Sequence, residues 1–254
     1  MADDARSLKG QVSEAEWRMR VELAALYRLV ALQGWDDLVF THISARLPTD
    51  EPQFLINPYG LFFGEMTASD LVRVDMQANI LEDRQVLINP AGFTIHSAVH
   101  GARSDAHFVI HMHTEDGIAV SAQAEGLLPI SQHALIVLPQ LAYHDYEGIA
   151  LDHDERARIV GDLGARNLML LRNHGTLALG GSAGQAWLGA FYLERACSIQ
   201  VRALSAGRDR VLMTSEASRA EVEERTALAL PGGGMLIWPG ALRQLNRLSP
   251  GYDI

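Results

Sequence analysis

The chain has 254 residues, 48% of them hydrophobic and 20% charged, with a formal net charge of -10. That length and apolar content support one large core and exclude a disordered or fibrous chain, and no composition shift argues for two independent units. The acidic balance excludes the basic footprint that nucleic acid or an anionic membrane surface would need, so a small molecule is the expected partner. The single cysteine, Cys197, permits no internal disulfide, and Met1 is followed by the polar stretch ADDARSLKGQ in place of an apolar leader. Apolar runs are all too short to span a bilayer, and a cytoplasmic location is expected.

Ser13 with Glu16 reads as a capping box, and Trp17, Leu23, Leu26, Tyr27 and Val30 recur at helical spacing until Gly34 supplies a stop. DLVFTHISAR and FLINP read as strands across the LPTDEP turn, and LVRVD as a strand entering the polar turn MQANI. AGFTIHSAVHGAR has helical spacing at Phe93, His96, Val99 and His100; AHFVIHMH reads as a strand, TEDGIAVSAQA as a helix, ALIVLP as a strand and HDERARIVGDLGA as a helix. NLMLLRNHGTLALG suits a strand pair or a bent strand, and SAGQAWLGAFYLERACSIQVRALSAG a long helix ended by Gly207. Beyond Gly207, EASRAEVEERTALAL is helical in pattern and PGGGM a flexible break before the closing tail. The alternation of strands and helices predicts an α/β sandwich with a central sheet covered by helices.

His111 and His113 stand two apart in a strand, so both imidazoles project to one side with backbones about 7 Å apart, a spacing that suits two ligands of one metal ion. The pair alone also fits two satisfied polar residues at a strand end. TEDG follows His113 directly, which sets the pair at the sheet margin, where ligand sites of α/β proteins gather. His174, inside an apolar stretch before Gly175, supplies a third nitrogen. Three such ligands leave an open position for substrate or water, as a catalytic divalent metal requires.

From Trp17 to Ala206 the sequence resembles the class II aldolase and adducin family, on the stretches GWDDLVFTHISARLP, FLINPYGLFFGEMTASDLVRVD, NPAGFTIHSAVHGARSDAHFVIHMHTEDGIAVSA, GLLPIS, AYHDYEGI and LLRNHGTLALG. The resemblance implies a three-layer α/β/α sandwich with a mixed central sheet over residues 1–206. Residues 207–254 would be a C-terminal extension packed on that domain or on a neighbouring subunit. It also implies a homotetramer with active sites at subunit interfaces, and a divalent metal, zinc first and Mn2+ or Fe2+ second, on His111, His113 and His174. The implied chemistry is that of a lyase: the metal stabilises the enediolate left when a carbon–carbon bond opens.

Phosphosugar aldolases of the family carry phosphate donors where this chain has Thr41-His42 and Pro58-Tyr59-Gly60. Bulky Tyr59 and the change to His42 remove matching donors, so a non-phosphorylated hydroxy-carbonyl or hydroxy-carboxylate substrate is expected, with His42, Tyr59 and Gly60 around it. The family's acid–base glutamate aligns with Gly64, next to Glu65, and its interface tyrosine falls near His133; these two are the candidate proton carriers, against a solvated loop Glu and an interface hydrogen bond. Tyr143, in the polar and aromatic AYHDYEG loop, is a further pocket candidate. His96 and His100 read as packing or subunit contacts, Cys197 as a small core residue, and GGSAG as a strand-to-helix turn. Two alternatives stay open: a metal-dependent decarboxylase of a hydroxylated aromatic acid, and a non-catalytic assembly module like an adducin head.

Overall fold

The computed structural model describes residues 7–148 and 154–254, and within the long C-terminal helix the side chains at 227–231 are outside that description. The elements run α1 (Glu14–Leu32), β1 (His42–Arg46), β2 (Gln53–Ile56), β3 (Val72–Asp75), α2 (Pro90–Ala102), β4 (Phe108–Met112), α3 (Glu115–Ser121), α4 (Gln132–Val137), β5 (Leu141–His144), α5 (Glu155–Leu163), β6 (Leu168–Leu171), β7 (Gly175–Gly180), α6 (Ala183–Leu204) and α7 (Glu216–Leu248). His153, the first residue of the predicted HDERARIVGDLGA helix, lies outside the described residues.

One seven-stranded sheet has the order β3-β2-β1-β4-β7-β6-β5, antiparallel throughout except for the parallel pair β5 and β6. The pleat separates two apolar layers. Phe108, Ile110 and Met112 of β4 face a core with α1, α4, α6 and the inner side of α7, whereas Val109 faces Ile95 and Val99 of α2 and Ile159 and Leu163 of α5. The molecule is therefore an α/β/α sandwich. Its central strand β4 pairs His111 with His42 of β1 and Met112 with Thr176 of β7, which aligns one end of three strands.

Three expectations fail locally. ALIVLP is not a strand: Ser131 Oγ accepts from Ala134 N at 3.1 Å and opens α4, whose residues Ala134 to Val137 are all buried and so show no period to read. The strand instead follows as β5, inside the segment read as a loop. The glycine tract does not break the C-terminal helix, because α7 runs through it and packs on α6. A Cβ at Gly234 would meet Gln185 N at 2.6 Å, and one at Gly184 would meet Gly234 O at 2.5 Å, so these glycines serve a close backbone crossing.

Candidate metal centre

His111 is the fourth residue of β4, and His113 lies one residue past its end. His174 comes from the turn between β6 and β7, where Asn173 takes the left-handed φ of 57° that asparagine tolerates. The three rings converge. His113 Nε2 lies 3.0 Å from His111 Nε2 and 3.1 Å from His174 Nε2, and ring centroids are 4.8 to 4.9 Å apart.

Tautomers follow from the partners on the far side of two rings. His111 Nδ1 donates to the Thr176 carbonyl at 3.0 Å, and His113 Nδ1 donates to the Asp37 carboxylate at 3.0 Å. Both acceptors require the proton on Nδ1, which leaves each Nε2 bare and facing the other. Burial, with the neighbouring rings, holds His111 well below its ordinary range and His174 down at about 4. Lone pairs turned on one another at this distance call for a cation, and tetrahedral coordination by imidazole would set the nitrogens about 3.3 Å apart. Among the described residues this is the group of ligands that could hold a metal ion.

The triad forms one wall of a cavity of about 550 Å3. Asp37, Phe40, His42, Tyr59, Asn89 and Tyr146 surround it, and no lysine or arginine is among the described residues that line it. His42 stacks on His111 with centroids 5.4 Å apart, takes a 3.3 Å contact from Asn89 Nδ2, and is held at about 3 by burial and then by His113 and His174. Gly92 of α2 makes room for it, since a Cβ there would meet the ring at 2.3 Å. Deeper along α2, Ser44 Oγ lies 2.7 Å from His100 Nε2 and also bonds His96 Nδ1, and His100 Nδ1 donates to Ala106 O at 3.1 Å. His96 and His100 are thus buried packing groups.

The other sequence candidates divide between this cavity and places away from it. Tyr59 lines the cavity and Gly60 follows it with φ 108°, but Glu65 is exposed and its carboxylate accepts from Phe62 N at 2.8 Å, closing its own 3-10 turn. His133 packs on Tyr192 at 5.3 Å, away from the triad's cavity. The hydroxyl of Tyr143 accepts from Leu127 N at 2.9 Å and its ring lies under the Arg172 guanidinium, which fixes it as a packing group. Tyr146, three residues on, is the tyrosine beside the triad, 6.3 Å from the ring of His174. Sequence reasoning singled out this loop and named Tyr143, whereas the tyrosine of the loop that lines the cavity is Tyr146. It also missed Asp37, although GWDD stands in a stretch that carried the resemblance, and Asn89, whose N-cap position before Pro90 masks a second role.

A mixed α/β/α sandwich that gathers three imidazoles at one end of its central strand defines a class of protein fit to hold one ion facing a small-molecule cavity. The sequence profile of the class II aldolase and adducin N-terminal domain matches residues 21–201, and the chain belongs to that family. It is 64% identical to a Caulobacter vibrioides protein named "Putative aldolase class 2 protein", over 99% of each chain. An aldolase II superfamily protein from Pseudomonas syringae superposes with a TM-score of 0.94 at 48% identity, covering 97% of this chain and 99% of that one. L-fuculose 1-phosphate aldolase from Glaciozyma antarctica superposes with a TM-score of 0.80 at 25% identity, covering 94% of this chain and 93% of its own. Among the described residues no helix is long and apolar enough to cross a membrane.

Proposed function

We propose that the protein is a metal-dependent carbon–carbon lyase of the retro-aldol type, acting on a small, non-phosphorylated hydroxy-carbonyl or hydroxy-carboxylate compound. The observation that carries this reading is the inward-turned Nε2 triad on the wall of a cavity with no cationic side chain among the described residues that line it. His111, His113 and His174 would hold a divalent ion, zinc first and manganese or iron second, which supplies Lewis acidity toward a substrate's hydroxyl and carbonyl oxygens.

The chain's own groups account for orientation and selectivity. A phosphate would need arginine, lysine or a ring of backbone donors, and the cavity offers Phe40, Tyr59 and Tyr146 instead. His42 is neutral, so it meets substrate as a hydrogen-bonding group and not as a counter-ion. Tyr59 and Tyr146, which both line the cavity, would bring hydroxyl protons to it within one chain. Glu65 and His133 would act only across an interface with another copy, which is the arrangement of a homotetramer with sites between subunits.

The test is direct. Protein purified without added metal is expected to hold close to one divalent ion per chain, and His113→Ala to lose both the ion and turnover. Retention of both would refute the reading. The aromatic wall, with Phe40 and Tyr59 centroids 6.3 Å apart, favours one second reading, decarboxylation of a hydroxylated aromatic acid. Release of carbon dioxide from hydroxybenzoate-type acids with no aldehyde co-product distinguishes it.

A further inference from the structure

On the α6 side of the sheet, one carboxylate joins the two chain segments that carry the histidines. Glu194 of α6 is 2% exposed and accepts from Thr114 Oγ1 and, at 2.6 Å, from Thr176 Oγ1. Burial pushes its carboxyl up to about 7 against the pull of both hydroxyls. Thr114 directly follows His113 and caps α3 by accepting from Gly117 N at 3.1 Å. Thr176 lies two residues after His174, and its carbonyl is the acceptor that orients His111. Each of the three imidazoles is therefore one short step of chain, or one hydrogen bond, from a threonine that Glu194 holds.

Packing around the carboxylate is complete. A Cβ on Gly117 would meet Thr114 Oγ1 at 2.5 Å, Thr176 Cγ2 at 2.7 Å and Glu194 Oε2 at 3.3 Å. A carboxylate buried with two hydroxyl donors stabilises a fold less than a well-packed apolar side chain of similar size would. What it adds here is a fixed span between the end of β4 and the start of β7.

We propose that Glu194 is a positioning residue for the cation site, setting through Thr114 and Thr176 the spacing of His111, His113 and His174 and so the affinity and geometry with which they hold a divalent ion. This rests on reading the three histidines as a cation site. Nothing in it requires Glu194 to touch substrate or metal.

Cobalt(II) alone is the probe, titrated into the metal-free full-length chain, with its visible absorption reporting coordination geometry and a competing chelator reporting affinity. Glu194→Leu and Glu194→Gln are expected to bind about 10–100-fold more weakly, with changed band intensities. Thr176→Val should reproduce the loss and Thr176→Ser, which returns the hydroxyl, should recover most of it. If Glu194→Leu does not fold, Glu194→Gln and the Thr176 pair carry the decision. Variants with a lowered unfolding midpoint but wild-type cobalt affinity and spectrum would make Glu194 a packing residue only, overturning the proposal while leaving the triad reading intact. Wild-type protein that takes up no cobalt would overturn the triad reading, and this one with it.

Discussion

Asp37 is where the ligand set can be perturbed without touching the core. Its side chain is 43% exposed and accepts the Nδ1 proton of His113 at 3.0 Å, so it fixes that ring's tautomer and orientation as a carboxylate partner does. Asp37→Ala should weaken divalent-metal binding about 10–100-fold, read by chelator competition, with the metal-free unfolding midpoint almost unmoved. Asp37→Asn, which keeps an acceptor but loses the charge, should fall between. None of this is legible in the sequence, because Asp37 and His113 are 76 residues apart and no spacing rule connects them. His111 and His113 are legible because a strand's alternation ties them directly. Glu194 had a faint signal: it stands three residues before Cys197 on α6, on the face that the apolar period assigns to the core.

At the scale of elements, α6 and α7 cross where glycines meet, and glycines of one tract should behave oppositely. Gly234→Ala puts a methyl 2.6 Å from Gln185 N and must push the helices apart, destabilising by about 1–3 kcal/mol. Gly232 has nothing within 4 Å of a would-be Cβ, and Gly232→Ala should stabilise by about 0.5–1 kcal/mol through helix propensity. Urea midpoints of the two variants against wild type settle it; a shared sign would mean that the crossing is looser than drawn. The same tract explains a failed reading. PGGGM has the composition of a break, and what makes it helix is the neighbour it approaches, which only the fold supplies. ALIVLP failed for a related reason, being apolar at every position and hence without a period. Elements read correctly include α1 and α6, each with a clear N-cap, and β4, which is buried at every position but short enough to read as a strand.

For the whole molecule, the buried imidazoles set how folding responds to acid. His42 and His100 are held at about 3 and His96 well below its ordinary value, each chiefly by burial. The unfolded chain takes up these protons below about pH 6.5 and the folded chain does not, so the stability these groups contribute is fully present above that pH and is lost as pH falls. Each contributes a slope of about 1.4 kcal/mol per pH unit in that window. Glu194 opposes one of them: its folded value is raised to about 7 from 4.5, so between those values the folded state holds the extra proton. The depressed imidazoles His42, His96, His100, His111 and His174 outnumber the raised carboxyls of Glu194 and Glu22, so in metal-free protein a net proton uptake on unfolding remains and stability falls as pH drops below about 6.5. Metal-free protein should therefore lose most of its urea resistance between pH 6.5 and pH 5, and His100→Gln should flatten the profile by about one proton. A profile that stays level over that range would mean that the imidazoles of α2 and β1 are reached by water, and the dry polar row behind the triad would have to be redrawn.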